Sequence, residues 1–245
     1  AEWISLTAAS EDGGVGVLLH RDTPGLTLVD DWQAFGQQNS VSGTVNFDNI
    51  VLDERYLTRR SGPMKRTGLT FPQILHAAID TGIAAGALQA AVEYLRDHAR
   101  AWVESGVERA SEEPHVIRQI GEYAVALRGA ESVLREAARV FDDHERDPEN
   151  KALQDELILS VATARAHSDA ASLKISSDLF SLLGASASRR KWNLDRFGRN
   201  ARVHTTHDPI RWRLHNVGNY YLNGADPGEY TAVLNAKETQ GATCR

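Results

Sequence analysis

The sequence predicts an α+β protein in which a β-rich segment, residues 1–57, precedes a bundle of four or five helices, residues 72–224. Two observations lead to this prediction. Short alternating or β-branched runs, separated by turn-forming residues, fill the first segment. From Pro72 onward, apolar residues recur at helical spacing. The polar, basic stretch 58–71 is interpreted as a linker, and residues 225–245 are interpreted as a tail.

Four or five short strands are expected in the first segment. Gly13-Gly14 separates the runs 3–9 and 15–19, which indicates a hairpin. The other expected strands are 26–29, 41–47 and 50–52. These strands are too few and too short for a free-standing sandwich, so a sheet or partial barrel is expected.

The expected helices have clear start and stop signals. Pro72 suits the first turn of a helix, and Gly184 and Gly224 suit positions just after a helix end. The expected spans are about 72–102, 114–143, 151–183, 193–206 and 209–222. Short connections predict antiparallel packing. Small residues permit close helix approach on the first helix, namely Gly82, Ala84, Ala85, Gly86 and Ala87.

Composition excludes several classes of function. A net charge of −6 disfavours binding to nucleic acid or to an anionic membrane, because both partners attract basic surfaces. No apolar run approaches the roughly 20 residues that cross a bilayer, so no membrane segment is expected. The single cysteine, Cys244, excludes an intramolecular disulfide and a cysteine zinc site. A cytoplasmic location is expected.

The chain begins in a strand pattern without an initiator methionine. Because that strand has no earlier partner, we expect the chain to be a fragment or a processed part of a larger protein. No secretory signal pattern is present at this end of the sequence.

Residues 204–209, His-Thr-Thr-His-Asp-Pro, raise three possibilities: a metal site, a helix junction and an enzyme site. His204 and His207 share one helical face, but bundle metal sites draw ligands from several helices, so no metal is expected. Asp208 precedes Pro209, which disfavours helix at Asp208 and predicts it as the N-cap of the next helix. That interpretation leaves both histidines unexplained.

Several motifs together carry a resemblance to a known family. They are Asp-Asp-Trp at 30–32, Ser-Val-Ser-Gly-Thr at 40–44, Asp-Arg-Phe-Gly-Arg-Asn-Ala-Arg at 195–202, the 204–209 motif and Gly-Asn-Tyr-Tyr-Leu-Asn-Gly at 218–224. The chain, up to about residue 224, resembles the C-terminal two-thirds of the acyl-CoA dehydrogenase fold. It is most similar to the flavin-dependent monooxygenase branch, which includes dibenzothiophene monooxygenase and the sulfur-acquisition oxidoreductases. Residues 1–57 then correspond to part of the middle β-domain.

One departure from the dehydrogenases bears on function. Many of them follow an Arg-Asp-Ala-Arg segment with a glutamate base, whereas here 199–202 is followed by His207-Asp208-Pro209. The resemblance implies a monooxygenase in which reduced FMN and O₂ form a C4a-(hydro)peroxyflavin that oxygenates a small organosulfur compound. Such an adduct needs a proton and a dry pocket, and histidine exchanges protons near neutral pH. We expect His207 to hydrogen-bond the flavin edge and the peroxide, with His204 beside it.

The resemblance also implies flavin-binding residues. Trp32 would lie against the isoalloxazine, and Ser42 would lie near the flavin at a strand turn. Arg100, Ala185 and Ser186 would reach the flavin phosphate of a neighbouring subunit in a homotetramer built as a dimer of dimers. The structural alternatives are a core tryptophan, a solvated cation at a helix end and an ordinary helix-ending turn.

The sequence contains no Gly-x-Gly-x-x-Gly that opens a helix, so a nicotinamide site is not expected. The expected partners are therefore a separate flavin reductase that supplies reduced FMN, O₂ and the organosulfur substrate. Two other functions stay open. One is an FAD-dependent acyl-CoA dehydrogenase, and the other is a non-catalytic fragment that completes a flavin site with another chain.

Overall fold

The computed structural model describes residues 2–10, 13–40, 42–59 and 65–228. Chain contacts divide these residues into a β-rich unit, which comprises the described residues of 2–34 and 38–68 together with residue 228, and a helical unit, residues 35–37 and 69–227. Cys244, most of the predicted tail and residues 60–64 of the predicted linker lie outside the described residues. The predicted boundaries between domain, linker, bundle and tail stay predictions.

The β-rich unit is built on an antiparallel hairpin. Strands β1 (Trp3–Ser10) and β2 (Gly13–His20) pair along their full length, from Trp3 opposite His20 to Ser10 opposite Gly13. The predicted hairpin is confirmed, although both glycines belong to β2 instead of separating the strands. The second edge of β2 pairs with β5 (Leu57–Arg59). Strands β3 (Leu26–Leu28) and β4 (Val45–Phe47) form a separate two-stranded sheet.

One predicted strand is wrong. Residues 50–52 form no ladder among the described residues, and the side chain of Val51 is 93% exposed. Asn49 immediately before them has φ 46°, which turns the chain away from an extended path. The strand comes later instead, because a 3₁₀ turn capped by Asp53 leads directly into β5, which extends into the predicted linker.

Five helices make up the helical unit. They are α1 (Thr70–Asp97), α2 (Pro114–Arg146), α3 (Lys151–Leu183), α4 (Asp195–His204) and α5 (Ile210–Asn223). The prediction for α3 is confirmed at both ends. Asn150 accepts hydrogen bonds from the amides of Ala152 and Leu153, and Gly184 ends the helix at φ 72°. Helix α1 ends earlier than expected, because Arg100 already pairs in an isolated β-bridge with Arg109.

Helix α1 lies against α2, α3 and α4 and provides much of the core. Its Ala84, Ala87 and Ala91 are fully buried, which confirms that small residues on this helix permit close packing. A Cβ added to Gly86 would lie 2.9 Å from Cε1 of Phe197 on α4, so this glycine makes room for the ring. Gly82 faces open space and has no such role.

Helix α1 also corrects the expectation that no segment approaches a membrane span. Among the described helices it alone is long and apolar enough to cross a membrane by length and composition, with a mean hydropathy of 1.2 over its best window. A core helix passes the same test. Asp80 in the middle of α1 is fully buried and contacts α3, as expected for a helix inside a bundle.

Candidate active site

A buried ionic network ties four parts of the helical unit together. Arg165 on α3 is fully buried and donates from Nη1 to Asp80 Oδ2 on α1 at 2.8 Å. Its Nη2 donates to Asp208 Oδ1 at 3.0 Å, and Arg213 on α5 donates to Asp208 Oδ2 at 2.6 Å. Two guanidinium groups thus alternate with two carboxylates, so the formal charges of the four side chains cancel. A buried set of charges is stable only when each one is paired in this way.

The other oxygen of Asp80 contacts the histidine at the end of α4. His204 Nδ1 lies 2.7 Å from Asp80 Oδ1, and the His204 side chain is only 11% exposed. A carboxylate can only accept hydrogen bonds, so the proton of the imidazole lies on Nδ1. Asp80 therefore fixes both the ring orientation and the tautomer of His204.

Three imidazoles lie ring to ring beside this network. The ring of His76 on α1 is 4.7 Å from that of His204 and 4.2 Å from that of His207, and the second pair is stacked at 22°. Burial first, and then the neighbouring His207, His204 and Arg165, lower the pKa of His76 to about 4. His76 is neutral at pH 7, and it supports the exposed ring of His207.

Asp208 does not have the role that the sequence suggested. Helix α5 begins at Ile210 with Pro209 as its N-cap residue, and no side-chain hydrogen bond caps it. The carboxylate of Asp208 is held by Arg165 and Arg213 instead. Although burial opposes ionisation, the hydrogen bond from Arg213 and the charges of both arginines lower the pKa of Asp208. The prediction of an N-cap is wrong, because the side chains of Arg165 and Arg213 bind this carboxylate in place of the backbone amides of α5.

The Asp-Arg-Phe-Gly-Arg-Asn-Ala-Arg motif forms most of α4, and it binds residues 35–37. Arg199 Nη1 donates to the carbonyl of Phe35 at 2.9 Å, and Asn200 Oδ1 accepts from the amide of Gln37 at 2.8 Å. A Cβ on Gly36 would lie 2.1 Å from the carbonyl oxygen of Arg199, so only glycine fits between them. These contacts fix the helix that ends at His204.

A groove with a volume of about 860 Å³ runs between α3, α4 and α5. Leu173 and Leu214 contribute to an apolar wall, and Arg202 and Asp169 add polar groups. Burial first, and then the nearby Asp80, raise the pKa of Asp169. Thr205 and Thr206 line the groove, whereas the histidines on either side of them contact His76. Within the 204–209 segment, the threonines thus lie at the groove, whereas the histidines lie against His76.

The predicted phosphate ligands lie at the other end of the bundle. Arg100, Ala185 and Ser186 are exposed, and the last two belong to a 3₁₀ turn after α3. Ala99 packs against the hydrophobic cluster in which Ala187 is buried, and His98 lies 4.4 Å from Trp192 between ring centroids, which connects the two segments. Asp80 and Asp97 are 17 residues apart on α1, or about 26 Å at the rise of an α-helix. Within one chain, the structure therefore does not bring Arg100, Ala185 and Ser186 to His207.

Two of the predicted flavin contacts, Trp32 and Ser42, lie in the β-rich unit. Trp32 is half-buried, and Ser42 is exposed. The preceding Asp31 accepts hydrogen bonds from the amide and hydroxyl of Thr44, at 2.8 and 2.6 Å. These bonds connect the Asp-Asp-Trp and Ser-Val-Ser-Gly-Thr motifs. No contact tests the flavin-binding roles of Trp32 and Ser42, which stay predictions.

Sequence reasoning missed four members of the cluster: His76, Asp80, Arg165 and Arg213. No motif in the sequence singles out His76. Its spacing from Asp80, four residues on one helical face, was a usable signal. A second signal was the charge of Asp80 inside an otherwise apolar helix, because such a charge needs a partner.

The side chains of the cluster bind one another. Within the ranges that the structure describes, no group of three or more histidine, cysteine, aspartate or glutamate side chains is arranged to hold a metal ion. The acidic side chains are bound to arginines, and the imidazoles face one another through their rings. The arrangement offers an accessible imidazole, His207, supported by neutral and paired groups, which is suited to hydrogen bonding and proton exchange.

Comparisons with known proteins identify relatives of this chain. Dibenzothiophene monooxygenase of Rhodococcus erythropolis is 36% identical over 217 residues, which are 83% of this chain and 51% of that protein. A probable FMNH2-dependent monooxygenase, SfnC of Pseudomonas putida, is 30% identical over 240 residues, or 93% of this chain and 60% of that protein. The crystal structure of FMN-bound TdsC from Paenibacillus sp. A11-2 matches with a TM-score of 0.86 and 31% identity, covering 93% of this chain and 61% of that one.

The chain thus spans about half the length of the curated relatives that it matches. The predicted acyl-CoA dehydrogenase-like fold and the resemblance to the monooxygenase branch are both confirmed. Residues 74–212, more than half of the chain, match the family described as acyl-CoA dehydrogenase, C-terminal domain. This chain belongs to that family.

Proposed function

We propose that this chain acts in a reduced-FMN-dependent monooxygenase that oxygenates an organosulfur compound. The observation that carries the proposal is the similarity to dibenzothiophene monooxygenase over most of the chain. The name of the second relative, an FMNH2-dependent monooxygenase, supports reduced FMN over FAD. The flavin–oxygen adduct that the sequence leads us to expect stays a prediction.

The residues of the helical unit suit an FMN chemically. Reduced FMN would supply the electrons that activate O₂, with one oxygen atom transferred to the substrate sulfur and the other released as water. His207 is an exposed imidazole that can hydrogen-bond the flavin edge and exchange a proton there. Arg100 and Ser186 provide a guanidinium and a hydroxyl in the exposed region at the far end of the bundle, a combination suited to a phosphate.

The separation between these two groups supports a flavin site shared by subunits. His207 lies near Asp80, and Arg100 follows the far end of α1, about 26 Å along the helix axis. This distance is longer than an FMN molecule. We propose that Arg100, Ala185 and Ser186 bind the phosphate of a flavin whose ring lies at His207 of another subunit, within a homotetramer. A separate flavin reductase and a cytoplasmic location belong to the same proposal.

The proposal is tested by reconstitution. Purified protein is mixed with FMN, NADH, a flavin reductase and dibenzothiophene under ¹⁸O₂, and the products are analysed by mass spectrometry. We expect a labelled sulfoxide that requires both the reductase and the protein. His207→Ala should bind FMN but lose most of the product, and His115→Ala, an exposed histidine on α2, should behave like the unaltered protein. Equal turnover by His207→Ala contradicts the role given to His207.

The family match keeps one other function in view, an acyl-CoA dehydrogenase that uses FAD. Under anaerobic conditions, such an enzyme loses its flavin colour when an acyl-CoA is added. A flavin-binding measurement identifies a non-catalytic fragment, which would bind flavin only when a second chain supplies the part of the relatives that this chain does not match. Either result, together with an absence of sulfoxide, replaces the monooxygenase proposal.

A further inference from the structure

We propose that Asp80 and His76 are positioning residues of the histidine site. Asp80 sets the tautomer of His204, and the ring of His76 holds the ring of His207 in place. The effect on turnover rests on the proposed function of the site. The effect on the histidine rings does not rest on the proposed function, so the two effects can be tested separately.

The role of Asp80 follows from how its two oxygens are used. Oδ2 accepts from Arg165 at 2.8 Å and Oδ1 faces His204 Nδ1 at 2.7 Å, in a position with no exposure to solvent. Arg165 can only donate, so it keeps an oxygen of residue 80 turned toward itself. The remaining oxygen then requires a proton on His204 Nδ1, which leaves Nε2 of that ring free as an acceptor.

The role of His76 follows from its place between the other two rings. It contacts His204 on α4 and His207 in the loop, at centroid distances of 4.7 and 4.2 Å. His76 and Asp80 are one helical turn apart on α1, so a single helix face supports both histidines. The stacked contact limits the directions in which the exposed ring of His207 can point.

The charges around His76 are consistent with a neutral, supporting ring. The titratable and charged groups that face it are Asp80 on its own helix, Arg165 on α3, His204 on α4, and His207 and Asp208 in the following loop. Burial first, and then His207, His204 and Arg165, lower the pKa of His76 to about 4, whereas the charge of Asp208 acts in the opposite direction. An uncharged ring can stack closely on His207 without repelling a proton that His207 gains or loses during turnover.

The first test is of Asp80 and needs no activity. The protein is labelled with ¹⁵N-histidine, and NMR reads which ring nitrogen of His204 carries the proton, with His204→Gln used for assignment. In Asp80→Asn, the single oxygen turns to Arg165, and the amide NH₂ faces His204 Nδ1. We expect His204 to switch from the Nδ1–H to the Nε2–H tautomer, while the signals of exposed His167 stay unchanged. A folded Asp80→Asn protein in which His204 keeps its tautomer overturns this part.

The second test is of His76 and compares two replacements. His76→Phe keeps a flat ring but cannot carry a proton, whereas His76→Ala removes the ring. We expect His76→Ala to lower the oxygenated product formed per O₂ consumed by roughly tenfold or more, and His76→Phe to restore most of it. The His207 signals should broaden or shift in His76→Ala and recover in His76→Phe.

Two results overturn the positioning role of His76. In one, His76→Ala matches the unaltered protein in both product yield and His207 signals. In the other, the folded His76→Phe protein is as impaired as His76→Ala, which would make the nitrogens of His76 essential instead of its ring. If the unaltered protein forms no oxygenated product, the proposed function fails, and the NMR comparison still decides the positions of the rings.

Discussion

The two ends of α1 both carry a histidine among rings, but in opposite surroundings. Near its start, His76 contacts two imidazoles that lie beside the buried ion pairs of Arg165. Just after its end, His98 lies 4.4 Å from the ring of Trp192 and 5.5 Å from that of Tyr94. Trp192 also meets Tyr94 edge to face at 5.2 Å, against the main hydrophobic cluster.

This difference indicates how each end of α1 is stabilised. Aromatic contacts at the second end each contribute a modest amount that does not depend on a complete set. The charges at the first end are stable only together, because removal of one leaves another buried without its partner. We expect the first end to respond sharply to single substitutions and the second end to respond gradually.

The largest expected effect is that of Arg165→Met. The substitution leaves Asp80 and Asp208 buried without their shared cation, at a cost of about 3–5 kcal/mol in the free energy of unfolding. Urea denaturation measures this cost. The matched control is Lys174→Met on the same helix, which breaks an exposed pair with Asp178 and should change little. Equal effects of the two substitutions would falsify the claim that the charges at the first end are stable only when all of them are paired.

Trp192→Ala comes next, at the aromatic end. The ring is half-buried, so its removal should cost about 2 kcal/mol, less than for a fully buried tryptophan. The NMR signals of His204 and His207 should stay as they are, since neither contacts this end. Movement of those signals would show that the two ends are coupled through α1.

At the first end of α1, stability is also expected to depend on pH through His76. The pKa of His76 lies at about 4 in the folded protein, below its ordinary value of 6.5. Between these values the unfolded chain binds a proton that the folded chain does not, so this contribution to stability rises with pH and is complete above about 6.5. His76→Phe should remove that rise. Stability is measured by urea denaturation from pH 4 to pH 7, and a constant difference between the two proteins contradicts the prediction.

The smallest effects are expected in the middle of α1. Gly86→Ala places a methyl group 2.9 Å from the ring of Phe197, and the required adjustment should cost about 1 kcal/mol. Gly82→Ala, one turn earlier, meets nothing within 4 Å and should stabilise the helix by about 0.5–1 kcal/mol. Thermal unfolding gives the sign of each change. Since Phe197 lies on the helix that ends at His204, His204 signals in Gly86→Ala report whether the adjustment reaches the site.

The parts of the fold that sequence predicts well are those with local signals. The bounds of α3 follow from Asn150 at one end and Gly184 at the other, and both act within a few residues of themselves. Strand β5 was missed because its three residues owe their conformation to pairing with β2, far away in sequence. Pairing with a distant strand produces no recognisable pattern in the sequence of the three residues themselves.

The candidate site was predicted in the same uneven way. His204 and His207 stood out through a short motif, and the structure places both of them against His76. The role of Asp208 was predicted from the proline that follows it, but the competing partner, Arg165, lies 43 residues away. Arg165 and Asp80 are 85 residues apart, so their pairing is a property of the packed bundle.

The anchoring of Asp208 sets how His207 can move. The residue directly after this histidine is held by guanidinium groups from two helices, so the backbone there cannot swing as a free loop. The remaining freedom of the exposed imidazole is rotation about its own side-chain bonds, and the stacked ring of His76 restricts that rotation as well. His207 is therefore held at both its backbone and its ring, so the direction of its imidazole is largely set before any ligand binds.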